Sequence, residues 1–184
     1  MDNKLHHDLI IAGFGGQGVL KLGQTLAEAA MNDGREVIWT PAYGPEMRGG
    51  PSFCTVIVSS EKIGSPAVAS ADTAIILDRV SLAKYQSRVR DNGLLLMNSS
   101  LVDVSKARTD VRSYAIPANE MAEELGDSRI SNMIMLGAFL YLTGIASPAS
   151  VIAALSAGVS ERNKHLIPLN EIALQKGADA VRGK

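Results

Sequence analysis

The chain has 184 residues, of which 46% are hydrophobic and 20% are charged, and its formal net charge is −1. This composition excludes a largely disordered chain, and the near-neutral charge excludes a general attraction to nucleic acid or to an anionic membrane surface. A single cysteine, Cys54, rules out an internal disulfide framework and a cysteine cluster that could hold zinc or an iron–sulfur centre.

Short β-rich runs alternate with helical patterns along the first two thirds of the chain, and helical patterns fill the rest. In chain order, the predicted strands cover residues 8–12, 36–40, 53–58, 73–77, 93–97 and 111–116. The predicted helices cover residues 18–32, 79–90, 118–125, 131–143, 148–157 and 168–181. Such alternation is typical of βαβ units. We therefore predict one domain over residues 1–184, with an α/β, Rossmann-like three-layer fold, a mainly parallel sheet and a helical C-terminal part.

Two apolar runs bear on the location of the protein. The run at residues 9–12 is far below the length of a signal core, and the run at residues 133–142 is too short to cross a bilayer. The sequence thus predicts a cytoplasmic protein that binds no membrane. The three histidines, His6, His7 and His165, do not form a metal-ligand pattern, so no metal site is predicted.

A glycine-rich turn separates the first predicted strand from the first predicted helix. Its candidate ligand-binding residues are Gly13, Gly15, Gly16, Gln17 and Gly18, in the pattern G-x-G-x-x-G. Backbone without Cβ atoms turns sharply and lets its N–H groups approach an anion, toward which the positive end of the helix dipole points. The alternative is that the glycines only let the helix pack tightly against the sheet, and the pattern alone leaves both interpretations open.

An NAD-binding interpretation meets a specific obstacle. The acid that binds the ribose is expected at the end of the second strand, about 20 residues beyond the turn. That position holds Trp39-Thr40-Pro41, and the nearby acids Asp33 and Glu36 precede the strand. Dinucleotide binding is therefore disfavoured, and a phosphate contact of another kind stays open.

A second candidate segment, residues 41–51, follows the second predicted strand. It therefore leaves the sheet at the same carboxyl edge as the glycine turn, where α/β folds bind ligands. The candidate residues here are Tyr43, Arg48 and Gly49. The Arg48 guanidinium suits phosphate or carboxylate because it donates two parallel hydrogen bonds. A surface ion pair between Arg48 and Glu46 is the equally weighted alternative.

These two segments occur with four further motifs, in a fixed order that covers nearly the whole chain. The motifs are Gly-Phe-Gly-Gly-Gln-Gly at 13–18, Tyr-Gly-Pro-Glu-Met-Arg-Gly-Gly at 43–50, Ile-Gly-Ser-Pro at 63–66, Ser-Ala-Asp-Thr-Ala at 70–74, Arg-Ile-Ser-Asn-Met-Ile-Met-Leu-Gly at 129–137 and Asn-Glu-Ile-Ala-Leu-Gln-Lys-Gly at 170–177. Together they resemble the gamma subunit, or gamma domain, of the 2-oxoacid:ferredoxin oxidoreductases. The 43–50 motif resembles the 2-oxoglutarate and branched-chain branch, since pyruvate-type subunits usually carry a second arginine in place of the methionine. The indolepyruvate-type small subunit is a further relative.

The resemblance implies a role within a complex that is not active as this chain alone. In that family, thiamine diphosphate attacks the 2-oxo carbon, carbon dioxide leaves, electrons pass through iron–sulfur clusters to ferredoxin, and coenzyme A takes the acyl group. Thiamine diphosphate, Mg²⁺ and the clusters are expected on the partner alpha and beta subunits, with or without a ferredoxin-like delta subunit as a further partner. No catalytic residue is expected in this chain. Its implied role, with 2-oxoglutarate as the expected substrate, is to complete the complex and help receive coenzyme A at the glycine turn and Arg48.

Several other residues have a structural and a functional interpretation. Cys54 and the two methionines Met133 and Met135 are predicted to be core residues. Asp78 ends a strand at the ligand edge, where it could contact a ligand or cap the following helix. The rival functions are a free-standing NAD- or FAD-binding protein and a regulatory or scaffold protein with no part in turnover.

Overall fold

The structure, a computed structural model, describes residues 4–43 and 50–183, without the side chains of Tyr43 and Arg162. Its strands are β1 (His6–Phe14), β2 (Glu36–Tyr43), β3 (Pro51–Ser59), β4 (Ala71–Ile76), β5 (Val89–Asn98) and β6 (Arg112–Ile116). Its α-helices are α1 (Val19–Asn32), α2 (Arg79–Tyr85), α3 (Ala118–Glu124), α4 (Ser131–Thr143), α5 (Pro148–Gly158) and α6 (Ile167–Val181). Within these described ranges, no helix combines the length and the apolar character that a bilayer span requires.

The six strands form one sheet in the order β2-β3-β1-β4-β5-β6. Neighbours from β1 to β6 pair in parallel, whereas β3 pairs antiparallel with both β1 and β2. The chain thus leaves β1 through α1, reaches the outer strand β2, and returns beside β1 as β3. The predicted α/β fold with a mainly parallel sheet is confirmed.

The sheet is covered on both faces, which explains the continuous apolar runs of its central strands. One core cluster lies between the sheet and helices α1, α3, α4, α5 and α6, and the other lies under α2 and the segments around Val68 and Val102. In β1, the residues from Leu9 to Ala12 are all fully buried, with side chains that alternate between the two clusters. The carboxyl end of β1 is therefore held rigidly between two packed layers.

The structure moves several of the predicted boundaries, among them the end of α2 and the start of the 41–51 loop. Helix α2 ends at Tyr85 and not near residue 90, because a short 3₁₀ turn at Gln86–Arg88 leads into β5, where the buried Val89 pairs with Ala71. The predicted loop 41–51 is also shorter, since Pro41 and Ala42 still pair with Cys54 and Phe53. Both differences come from long-range strand pairing, which local sequence patterns do not encode.

Helices α4 and α6 cross with their backbones in contact. A Cβ atom at Gly177 would collide with the carbonyl oxygen of Ile134, and one at Gly137 would collide with the carbonyl oxygen of Leu174. Helix α4 is buried along most of its length, and this burial confirms Met133 and Met135 as core residues. The helical C-terminal part is thus fixed to the sheet by a close helix pair.

Cys54 is a core residue of β3, as predicted. Its side chain is fully buried, and its Sγ lies 3.7 Å from the carbonyl oxygen of Val19 as a weak donor. Burial raises the pKa of the Cys54 thiol to about 12. Because the thiolate is the reactive form, this thiol is inert at neutral pH.

Candidate functional site

The glycine turn links the carboxyl end of β1 to the start of α1. Gly16 has a φ of 101° and Gly18 a φ of 77°, both in the left-handed region where a side chain is disfavoured. Gly15 donates its N–H to the carbonyl oxygen of Gly50 at 2.9 Å, while Gly13 lies inside β1 opposite Ser52. Two of the glycines are therefore required by backbone conformation alone, whatever the turn binds.

Gln17 points its side chain inward, under the turn. Its Oε1 accepts the N–H of Phe14 at 2.6 Å, and its Nε2 donates to the carbonyl oxygen of Leu77 at 3.1 Å. A Cβ atom at Gly13 would lie 2.5 Å from this Oε1. The absence of a side chain at Gly13 therefore makes room for the Gln17 amide. Both polar atoms of the Gln17 amide thus bond within the chain, and a ligand contact by Gln17 or Gly13 stays a prediction.

The start of α1 presents backbone donors at this edge. Gly18 is the N-cap, no described side chain caps the helix, and its first turn contains no acid. The first hydrogen bond of the helix runs from the N–H of Leu22 to the carbonyl oxygen of Gly18 at 2.8 Å, which leaves the preceding amides without an intrahelical acceptor. These amides and the positive end of the helix dipole favour an anion.

Asn132 in the first turn of α4 packs directly on Gly18. It is 7% exposed, and its Nδ2 donates to the carbonyl oxygen of Gly18 at 3.4 Å. A Cβ atom at Gly18 would collide with this amide. Asn132 was not among the predicted site residues, because the contact joins residues 114 positions apart. Its place in the 129–137 motif was the one available signal.

The segment between β2 and β3 emerges beside the glycine turn. Tyr43 pairs with Ser52 across the β2–β3 ladder, Pro51 pairs with Phe14, and the Gly50 carbonyl accepts the Gly15 N–H. Both ends of the segment therefore lie at the carboxyl edge, as the sequence indicated. Arg48, Gly49 and the Tyr43 side chain lie outside the described residues, so their ligand contacts stay predictions.

Neighbouring polar residues of the same edge serve the fold. Asp78 is 4% exposed and caps α2: its Oδ1 accepts the N–H groups of Val80 and Ser81 at 2.8 and 3.0 Å, and its Oδ2 accepts the Ser81 hydroxyl at 2.7 Å. Asn98 similarly bonds the N–H of Ala118 at 3.2 Å. The capping interpretation of Asp78 is confirmed, and the start of α1 remains as the source of backbone donors at this edge.

The strand order separates β2 from β1, and this separation bears on dinucleotide binding. The acid criterion assumes that the second strand lies beside the first, but here the antiparallel β3 lies between β1 and β2. The end of β2 is consequently two strand spacings from β1, or about 10 Å. The missing acid at residues 39–41 is therefore not the relevant test. The inserted antiparallel strand is itself the departure from the dinucleotide-binding arrangement.

A charged cluster lies at the opposite, amino edge of the sheet, beside a cavity of about 260 Å³. Arg90 binds Asp8 at 3.1 Å and Asp72 at 2.8 Å, and His7 Nε2 lies 3.0 Å from the Thr73 hydroxyl. Burial lowers the pKa of His7. Among residues 4–43 and 50–183, no group of three or more His, Cys, Asp or Glu side chains could hold a metal ion.

A groove of about 1220 Å³ lies between helices α4, α5 and α6. Tyr141 and Ile172 in its lining are 47% and 49% exposed, and the Arg182 guanidinium lies 5.5 Å from the Tyr141 ring centroid. Large apolar side chains grouped in one exposed groove are typical of a surface that contacts another protein.

The sequence is similar to those of known proteins over most of its length. The model of the family described as pyruvate ferredoxin/flavodoxin oxidoreductase matches residues 8–180. The ketoisovalerate oxidoreductase subunit VorA of Methanothermobacter marburgensis is 42% identical over 174 residues, which are 94% of this chain and 36% of VorA. The 2-oxoglutarate synthase subunit KorC of Methanocaldococcus jannaschii is 34% identical over 182 residues, which are 97% of this chain and 96% of KorC.

The fold is also similar to that of a solved structure from related proteins. The keto/oxoacid ferredoxin oxidoreductase gamma subunit of Geobacter sulfurreducens superimposes with a TM-score of 0.81 at 29% identity, over 97% of this chain and 99% of that chain. The similarity to KorC and to this subunit runs from end to end, whereas the chain spans about a third of the length of VorA.

Proposed function

Because the chain belongs to the pyruvate ferredoxin/flavodoxin oxidoreductase family, we propose that it is the gamma subunit of a 2-oxoacid:ferredoxin oxidoreductase complex. The observation that carries this proposal is the end-to-end match to KorC, which is a separate subunit of similar length. In the proposed reaction, a 2-oxoacid and coenzyme A yield an acyl-coenzyme A, carbon dioxide and one proton, and two electrons pass to ferredoxin.

The proposal assigns the redox cofactors to partner subunits. One cysteine in the whole sequence does not fit the four thiolates that an iron–sulfur cluster requires. The described residues also present no group of acids or histidines for a metal ion, and Mg²⁺ is the ion expected with thiamine diphosphate. Alpha and beta subunits, with or without a ferredoxin-like delta subunit, are the proposed partners. The apolar groove of α4, α5 and α6 supports such an association.

For the substrate, we propose 2-oxoglutarate, with a branched-chain 2-oxoacid as the second candidate. KorC, a 2-oxoglutarate synthase subunit, matches this chain over nearly its full length, which supports the first. VorA, a ketoisovalerate oxidoreductase subunit, has the higher identity, which supports the second. Since the substrate pocket is proposed to lie mainly on the partner subunits, the complete complex is needed to decide between them.

Within the complex, we propose that the glycine turn and Arg48 contact the phosphate groups of coenzyme A. The uncapped start of α1 and the left-handed Gly16 and Gly18 support an anion at the turn. The Gly15–Gly50 hydrogen bond also supports this contact, because it joins the turn to the residue that follows the 44–49 segment. Tyr43 and Gly49 belong to the same proposed contact surface.

Replacing Arg48 by Ala in the assembled complex should raise the Michaelis constant for coenzyme A by about 10- to 100-fold and change kcat little. A hydrogen bond to a charged group contributes about 1.5–3 kcal/mol, and binding that is lost equally from ground and transition states appears in the Michaelis constant. Steady-state kinetics with varied coenzyme A measure this.

Arg112→Ala is the matched control, because Arg112 is exposed at the start of β6, at the amino edge of the sheet and outside the helical groove. It should leave the Michaelis constant for coenzyme A unchanged. If Arg48→Ala also leaves both this constant and kcat unchanged, Arg48 does not contact coenzyme A.

A further inference from the structure

The crevice between β1 and β4 is the point at which the chain connections diverge. From β1 the chain passes through α1 toward β2 and β3 on one side, and from β4 it passes through α2 toward β5 on the other. Such a divergence point opens a crevice at the carboxyl ends of the strands, where α/β folds bind ligands. Here the Gln17 amide fills that crevice.

Gln17 continues the strand pairing where the backbone ladder ends. The last paired residues of β1 and β4 are Ala12 and Ile76, and the N–H of Leu77 still donates to the Ala12 carbonyl at 2.9 Å. Beyond that bond, the Phe14 N–H and the Leu77 carbonyl both bond to the Gln17 amide instead of to each other.

The primary amide is the side-chain group that suits this position. It presents an acceptor to the Phe14 N–H and a donor to the Leu77 carbonyl at the same time. A carboxylate would place a second acceptor against the Leu77 carbonyl, and a hydrocarbon would leave both backbone groups without a partner. Gly13 completes the arrangement, since a Cβ atom there would lie 2.5 Å from Gln17 Oε1 and 2.9 Å from Leu77 Cβ.

We propose that Gln17 is a positioning residue that ties the end of β1 to the end of β4 and so fixes the shape of the glycine turn. With Gln17 bonded beneath the turn, its amide occupies the crevice between β1 and β4. A ligand therefore binds above the turn and does not enter the sheet. The identity of that ligand as coenzyme A rests on the proposed function, whereas the tie itself does not.

The Gln17→Glu variant of the full chain tests the tie through its pH dependence. The introduced carboxyl group retains an acceptor and a donor when it is protonated, whereas its ionised form repels the Leu77 carbonyl. The folded state therefore raises the pKa of this carboxyl above its unfolded value of about 4.3. The stabilisation is complete below that pH and is lost as the pH rises through the folded pKa. We expect the difference in Tm between native chain and variant to widen from pH 4 to pH 8. A constant difference overturns the proposal.

The Gln17→Ala variant tests the same tie at a single atom. Loss of one hydrogen bond should speed hydrogen exchange of the Phe14 amide about five- to tenfold, as measured by NMR on the full chain. Gln24→Ala is the matched control, because Gln24 lies on α1 and bonds Glu28 at 2.8 Å, away from the turn. Unchanged exchange of the Phe14 amide in Gln17→Ala overturns the proposal, whatever the kinetics.

Kinetics of the assembled complex separate this proposal from the proposed function. Faster exchange of the Phe14 amide, together with a raised Michaelis constant for coenzyme A in Gln17→Ala, supports both. Faster exchange with an unchanged Michaelis constant supports the tie and contradicts the contact between the turn and coenzyme A.

Discussion

Replacing Gly177 by Ala should lower the free energy of unfolding of the full chain by about 3 kcal/mol or more. The added Cβ atom would collide with the carbonyl oxygen of Ile134, a backbone atom of α4 that cannot rotate away. Helix α6 must therefore move off α4, which loosens the packing of the largest core cluster. Overpacking a dense core costs about 1–3 kcal/mol, and more where backbone has to shift. Equilibrium unfolding in urea measures the change.

Gly158→Ala is the matched control for this substitution. Gly158 is also a helical glycine, but a Cβ atom there would meet only Lys21 Nζ, at an ordinary contact distance of 3.5 Å. Because alanine is favoured over glycine in a helix by about 0.5–1 kcal/mol, this variant should be neutral or slightly more stable. Equal destabilisation by the two variants would show that α4 and α6 are not in backbone contact.

Replacing Gly18 by Ala is expected to have the second largest effect, a loss of about 2–3 kcal/mol in unfolding free energy. The left-handed φ of 77° costs about 1–2 kcal/mol for any residue with a Cβ atom. The new methyl group must also displace the Asn132 amide, which donates to the Gly18 carbonyl. Thermal and urea unfolding of the full chain provide the measurement.

Gly34→Ala isolates the conformational part of that loss. Gly34 has nearly the same φ, 76°, and a Cβ atom there would have no neighbour within 4 Å. This variant should lose about 1–2 kcal/mol, the cost of the left-handed conformation alone. The difference between the two variants then measures the Asn132 contact, and equal losses would contradict that contact.

The sequence predicted those features of the fold that depend on local patterns. Continuous apolar runs marked the buried strands, and Asp78 fitted a helix cap, because each signal lies within a few residues of its effect. The ends of β2 and β3 were missed, since the pairing of Ala42 with Phe53 is a tertiary contact.

The candidate site shows the same division between local and distant interactions. The glycine spacing identified the turn, and the strand before the 41–51 loop identified the correct edge of the sheet. The inward direction of Gln17 and the contact of Asn132 with Gly18 depend on Leu77 and α4, which lie 60 and 114 residues away. The expected position of the NAD-binding acid was wrong for a related reason. That expectation assumes that β2 lies beside β1, whereas the topology places β3 between them.

The most direct test of the proposed function is the reconstitution of the complex from its alpha and beta subunits, with and without this chain. The measured quantity is the coenzyme A-dependent reduction of a viologen dye with 2-oxoglutarate, a branched-chain 2-oxoacid or pyruvate as substrate. We predict that activity requires this chain and is fastest with 2-oxoglutarate. Full coenzyme A-dependent activity in the absence of the chain would contradict the proposed function.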